Sequence, residues 1–241
     1  MRTLVWFRSD LRTLDNPALH AACATSDRGV VGLFVVSPGE WLAHDLAPVR
    51  VDLMLRTLRE LSQSLAKLNV SLRLITAHKP GDVVPALLGL ARDLSCDAIA
   101  FNREYELNES RRDAHLESLA AEAGIRIAPH HGQVLAPPGT VRTGEGRPYT
   151  VFTPFRKSLY RALAQGGPIR PLGMPRAQPE RAFEPSPVPI VLEGWESPVA
   201  ATEWPAGEAA ALRSLKVFAA ESLHTYRSEE HTSELQSPCN L

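Results

Sequence analysis

The chain has 241 residues, 44% of them hydrophobic, and its 26 Lys and Arg against 27 Asp and Glu leave a formal net charge of −1. That length allows one or two domains with a real core, and the charge balance excludes a chain-wide basic footprint of the kind that grips nucleic acid through its phosphates. Three scattered cysteines, Cys23, Cys96 and Cys239, exclude a disulfide framework or metal cluster and suit a reducing, cytoplasmic setting. The opening apolar run Leu4–Phe7 is too short for a signal peptide and is followed at once by Arg8, Asp10 and Arg12. No stretch approaches the ~20 apolar residues of a membrane span, so a soluble protein is expected.

The first strand is predicted over Thr3–Arg8. Asn16 followed by Pro17 starts a helix, since Asn caps well and Pro loses nothing at the first helical position. A second strand, Val30–Ser37, is apolar on both alternations, which predicts burial on both faces in a parallel sheet. A long helix is predicted from Pro48 to Leu68 on the spacing of Leu53, Leu58, Leu61, Leu65 and Leu68. Strand Ser71–Ala77 follows, then a helix after Pro80-Gly81-Asp82 carrying Val83, Val84, Leu87, Leu88, Leu90 and Ala91. Strand Ala98–Asn102 leads to a helix from about Asn108 that Gly124 stops in the left-handed conformation, and Ile125–His130 is the fifth strand. This alternation predicts a doubly wound α/β domain with a five-stranded parallel sheet, whose ligand sites lie at the carboxyl ends of the strands.

The rhythm breaks after residue 130. Pro137-Pro138-Gly139 and Thr143-Gly144-Glu145-Gly146 predict loops, and Thr153–Ala164 a short amphipathic helix with Phe155, Leu159, Tyr160 and Leu163 on one side. From Gly166 to Pro205 prolines are dense, Pro168, Pro185, Pro187 and Pro189 among them, which predicts a long extended connection rather than a packed element. A new helix begins near Ala206 and runs toward Tyr226. The chain has no G-x-G-x-x-G after its first strand, no G-x-x-x-x-G-K-[ST], no nucleophile elbow and no H-x-x-x-H pair. On its residues alone it reads as an α/β ligand-binding domain with no catalytic constellation and no metal site.

Leu4-Val5-Trp6-Phe7-Arg8-Ser9-Asp10-Leu11-Arg12 followed by Asp15-Asn16-Pro17-Ala18-Leu19 resembles the opening signature of the photolyase/cryptochrome family, W-F-R-x-D-L-R-x-x-D-N-x-A-L. Further blocks fall in family order: Tyr105–Glu109 with Arg112 and Asp113, Leu135–Gly139, Tyr149–Phe155, and Trp204–Leu212. The resemblance extends to about Tyr226. Taken singly, Arg8, Asp10 and Arg12 are expected to form surface or inter-domain ion pairs.

The resemblance implies the amino-terminal part of a flavoprotein that repairs pyrimidine dimers in DNA with light, that is, deoxyribodipyrimidine photo-lyase activity. It implies FAD in a carboxy-terminal helical domain and an antenna chromophore, methenyltetrahydrofolate in the first instance, with a deazaflavin as the alternative. Three positions match the folate antenna's residues, His44, Asn108 and Glu109, and Tyr226 matches the tyrosine that opens the flavin pocket. An amide and a carboxylate suit the donor and acceptor edge of a pterin. Asn108 can equally be a helix N-cap and Glu109 a complement to the helix dipole, and one residue can do both. The family's phosphate-gripping block and electron-passing tryptophans have no counterpart here; Trp6, Trp41, Trp195 and Trp204 are expected to pack in the core.

The domain reading is therefore an antenna-binding α/β domain at 1–130, an inter-domain connection at 131–205 and the start of a truncated flavin-binding helical domain at 206–226. Residues 227–241 are expected to be a non-native tail, because Arg227–Ser237 resembles a translated sequencing adapter. The fragment itself is expected to be inactive and monomeric, with damaged DNA as the parent's partner and no membrane contact. Its last helix would expose Leu212, Leu215, Val217 and Phe218. The alternatives are a blue-light photoreceptor of the same family without repair activity, and a bare nucleotide-binding α/β domain, against which the connection and second-domain start argue.

Overall fold

The computed structural model describes residues 1–166 and 170–226; the tail at 227–241 and Pro168 lie outside them. The chain divides into two compact units, Met1–Leu46 with Ser62–Val188, and Ala47–Leu61 with Pro189–Leu241.

The first unit is built on five parallel strands, β1 (Thr3–Phe7), β2 (Val30–Val36), β3 (Ser71–Thr76), β4 (Ala98–Asn102) and β5 (Arg126–His130), in the order β3-β2-β1-β4-β5. Every residue of β1, β2 and β4 is buried, as strands covered on both faces by helices must be. Leu4 and Trp6 of β1 join Val31, Leu33 and Val35 of β2 in one core cluster with Val84, Leu87, Leu88 and Ala91 of α4 (Val83–Asp93) and Leu116 and Ala120 of α5 (Leu107–Glu122). Each such aliphatic side chain contributes about 1.5–3 kcal/mol by leaving water. The opposite face of β2 is kept bare at Gly32, where a Cβ would stand 3.1 Å from the Phe7 ring and 3.2 Å from Leu65. That lets the end of α3 (Pro48–Ala66) approach the sheet closely.

The crossovers start and stop for local reasons. Helix α1 (Pro17–Thr25) begins at Asn16, whose Oδ1 accepts from the Leu19 N–H at 3.1 Å, and Pro17 takes the first helical position. Helix α5 ends before Gly124, at φ +68°. On α3 the buried positions are Val51, Leu55, Leu58, Leu61 and Leu65; Leu53 is only partly covered, so the apolar stripe starts one turn differently from its leucine spacing. A short helix not anticipated from sequence, α2 (Pro38–Ala43), follows β2. Next come α6 (Phe152–Gln165) and, in the second unit, α7 (Glu208–Glu221).

The described residues of the proline-rich connection, 170–205, form no helix or strand, but the segment 178–186 is not free of the fold. Gln178 is buried and donates to the Cys23 carbonyl at 3.2 Å. The Ser186 N–H donates to Leu72 O at 2.8 Å, the Leu74 N–H to Ser186 Oγ at 3.0 Å, and the Ser71 hydroxyl to Phe183 O. Residues 178–186 thus run along the outer side of β3 and satisfy backbone groups that an edge strand would otherwise leave open. In the second unit, Arg56 closes on Asp52 at 2.9 Å one turn away and donates to the Trp204 carbonyl at 2.7 Å. Trp204 itself is 60% exposed, against the expectation of core packing; Trp6 and Trp195 are buried. Leu212, Leu215, Val217 and Phe218 of α7 are exposed, as expected. No helix among the described residues is long and apolar enough to cross a membrane.

Candidate functional site

After β1, β2 and β3 are laid down to one side, the chain returns to place β4 on the other side of β1. The carboxyl ends of β1 and β4 therefore flank the topological switch point, where open α/β sheets hold ligands. In this protein a buried polar network fills the sheet side of that point. Arg8, the residue after β1, donates through Nη1 to Asp113 Oδ1 at 2.6 Å and through Nη2 to the Asn102 carbonyl, and its Nε lies 3.5 Å from Glu104 Oε2. Its guanidinium lies against the edge-to-face pair of Trp6 and Phe101, 4.7 and 4.8 Å from their centroids. Arg112 completes the cluster, 3.0 Å from Glu104 and over the Trp6 ring.

Asp10 organises the turn beneath. Its Oδ1 accepts the Arg8 N–H at 2.8 Å, and its Oδ2 accepts from Asn102 Nδ2 at 2.5 Å and Asn16 Nδ2 at 3.3 Å. Asn102 also donates to Asn16 Oδ1 at 2.9 Å and accepts from the Ala18 N–H at 3.2 Å. The signature residues Arg8, Asp10 and Asn16 are thus buried within one domain, and the expectation of surface or inter-domain ion pairs for Arg8 and Asp10 is corrected. Burial raises the Asp113 carboxyl above its ordinary value despite the opposing pull of Arg8, and its Oδ2 has no hydrogen-bond partner among the described residues. Arg12 is the outward member, donating to Asp15 O and Gly132 O.

Around this network lies an exposed polar rim. The Ser9 hydroxyl donates to Glu104 Oε1 at 2.7 Å and accepts from Gln133 Nε2 at 2.8 Å. Tyr105 and His131 stack with rings 3° from parallel and share a 2.7 Å hydrogen bond. Burial and the neighbouring His131 push His130 below the usual imidazole range.

Asn108 and Glu109 sit in the first turn of α5, directly after the β4 end. Asn108 is exposed and Glu109 half-buried, and no protein hydrogen bond or ion pair engages either side chain among the described residues. Asn108 is not the N-cap: Glu106 holds that position with extended backbone, φ −63° and ψ 155°, so the helix starts two residues earlier than the cap reading required. That frees the Asn108 amide. His44 ends α2 after β2, exposed, its backbone N–H donating to Glu40 O at 3.1 Å. All three follow carboxyl ends of strands that flank β1, and no hydrogen bond joins His44 to the other two. Tyr226 belongs to the second unit, 46% exposed and edge-on to Phe218 at 5.8 Å.

The free amide and carboxylate of Asn108 and Glu109 fit the donor–acceptor edge of a pterin. A flavin dinucleotide is not fitted in the same way, because a single half-exposed phenol supplies nothing for a pyrophosphate. The groups that sequence reasoning missed are Glu104, Asn102 and Gln133. Only the fold brings them to the switch point; the one available signal was their closeness to predicted strand ends.

A family model described as DNA photolyase matches residues 3–176. Deoxyribodipyrimidine photo-lyases of Vibrio cholerae and Escherichia coli are 34% and 30% identical over 229 and 238 residues. The matches cover 92% and 99% of this chain and 47% and 50% of theirs, so the chain spans about half the length of the curated relatives it matches. A class III photolyase structure from Agrobacterium tumefaciens is similar with a TM-score of 0.64 at 26% identity, over 90% of this chain and 44% of that one. A Synechocystis cryptochrome shares the fold, with a TM-score of 0.74 at 21% identity, over 95% of this chain and 48% of that one.

Proposed function

The chain belongs to the DNA photolyase family, and from that membership we propose that it is the antenna-carrying part of a light-dependent DNA-repair flavoprotein with deoxyribodipyrimidine photo-lyase activity. The observation that carries this reading is the family match over residues 3–176, which takes in the whole parallel sheet and the rim at its carboxyl end. The relatives named for this activity, at 30–34% identity, support it.

Within this proposal residues 1–130 bind the antenna, 131–205 connect, 206–226 begin the flavin-binding helical domain and 227–241 are non-native. When bound, the antenna supplies light absorption and FAD the electron that splits a pyrimidine dimer. The protein's part at the antenna is orientation. Asn108 offers both a donor and an acceptor, Glu109 accepts from ring N–H groups, and His44 closes the set from the segment after β2. The ligand in this reading is methenyltetrahydrofolate. Tyr226 is assigned to the flavin side, whose remaining groups the described residues do not provide, so the described part neither holds FAD nor repairs DNA unaided. Damaged DNA is the parent's partner, the protein is a monomer, and its place is the cytoplasm. A photoreceptor that does not repair DNA shares this fold and is the second reading, favoured only by the likeness to a cryptochrome.

The test is reconstitution. The chain incubated with methenyltetrahydrofolate should gain a near-ultraviolet absorption band that co-elutes with protein, and Asn108→Ala with Glu109→Ala should weaken uptake by about tenfold or more, the loss of one to two charge-assisted hydrogen bonds. Unchanged uptake in the double variant would remove both residues from the site. Repair of dimers by a flavin-loaded longer protein, with and without light, separates the enzyme from the photoreceptor.

A further inference from the structure

The net charge of −1 conceals a sharp asymmetry. Between residues 140 and 182 eight Arg and Lys stand against only two Glu. The centre of this stretch is α6, whose sequence contains Arg156, Lys157 and Arg161 and no carboxylate. All three cations are exposed, and none is ion-paired among the described residues.

Their placement follows from the helix period. Phe152, Arg156 and Tyr160 recur at four-residue spacing and form one row; Lys157 and Arg161 fall in the adjacent row, about 6 Å apart along the axis. Phe152 and Tyr160 are 69% and 64% exposed. Phe155, Leu159 and Leu163 form the neighbouring row, broadly opposite Lys157 and Arg161, and are partly buried. The helix therefore turns this aliphatic row inward and presents Tyr160, Lys157 and Arg161 to solvent, with Phe152 and Arg156 exposed along the border between the two faces. A helix that lies on a lipid surface does the reverse, pressing the aliphatic side outward. A carboxylate-free row of cations interleaved with aromatic rings complements a nucleic-acid backbone.

We propose that the outward face of α6 is a DNA phosphate-contact surface, in which Arg156, Lys157 and Arg161 neutralise backbone phosphates of a duplex irrespective of sequence or damage. Phe152 and Tyr160 pack on the sugars beside them. This rests on the reading that DNA is the partner of the protein, and gives the antenna-carrying half a direct part in holding it.

The experiment measures fluorescence anisotropy of a labelled, undamaged duplex with the full 241-residue chain from about 50 to about 200 mM salt. Replacing Arg156→Gln, Lys157→Gln and Arg161→Gln together should weaken binding by about tenfold at the low end and reduce the slope of log affinity against log salt by about 3. The matched variant Lys67→Gln, Arg92→Gln, Arg111→Gln removes the same charge from exposed positions elsewhere and should change binding little; far-UV circular dichroism confirms that both remain folded. Equal losses in the two variants, an unchanged slope, or binding to anionic phosphatidylserine vesicles with none to the duplex would overturn the proposal. Repair is not read in this experiment, so its failure leaves the photo-repair reading standing. Failure of repair in the flavin-loaded protein would leave the salt slope to decide this surface.

Discussion

Arg8 and Asp113 are 105 residues apart in sequence and 2.6 Å apart in space, joining the exit of β1 to the second turn of α5. The pair is almost wholly buried, so removing one partner strands the other in a medium that punishes lone charge. Asp113→Ala should cost about 3–5 kcal/mol in urea unfolding. Asp113→Asn should cost clearly less, because it keeps an acceptor for Arg8 and relieves a carboxyl that burial already pushes toward the neutral form. Equal costs for the two variants would show that the pair matters by volume and not by charge.

Gly39 in α2 passes so close to the His78 carbonyl that a Cβ there would collide with backbone. Gly39→Ala should therefore displace α2 and lower stability by about 1–3 kcal/mol. Since His44 caps the same helix, antenna uptake should fall as well. Gly81→Ala, where an added Cβ meets nothing, is the comparison that should leave uptake unchanged.

His130 has its pKa depressed by burial first and His131 second. A group depressed on folding adds stability above its unfolded value, near pH 6.5, and that stability is lost as pH falls through the folded value. Thermal unfolding between about pH 7.5 and about pH 5 should show a decline that His130→Gln reduces. A decline of the same size in the variant would assign it to other groups.

Cys23 and Cys96 are buried, and desolvation raises each thiol to about 11. Since the thiolate is the nucleophile, both should react with a disulfide reagent at pH 8 only on the timescale of unfolding. A Cys239→Ser protein, in which these are the remaining thiols, should label slowly when native and rapidly in guanidinium. Fast native labelling would mean that the strands near them open locally.

The sheet was legible because parallel strands buried on both faces leave unbroken apolar runs, Val30–Val36 above all, and because Asn16-Pro17 and Gly124 punctuate the helices between them. Helix α2 was not, since six residues whose apolar side chains, Trp41, Leu42 and Ala43, are consecutive carry no measurable period. The roles of Arg8 and Asp10 were hidden for a different reason. A charged residue read alone defaults to the surface, and only the packing of β1 against β4 and α5 supplies the partners that let it go inside. Asn108 was a plausible cap by residue type, yet the chain turns at Glu106, whose carboxylate accepts the Tyr105 N–H at 3.0 Å. The cationic face of α6 escaped notice because acidic residues elsewhere cancel it in the total.

Sheets grow by recruiting another chain onto open donors and acceptors at their margins. Along β3 that margin is taken by residues 178–186, and the covering segment includes Pro179 and Pro185, with Pro187 just beyond, none of which has an N–H to offer. At the far margin β5 contains Pro129. This stretch of the first unit thus also serves as a terminator, closing the β3 margin and denying a neighbouring molecule a template to extend there.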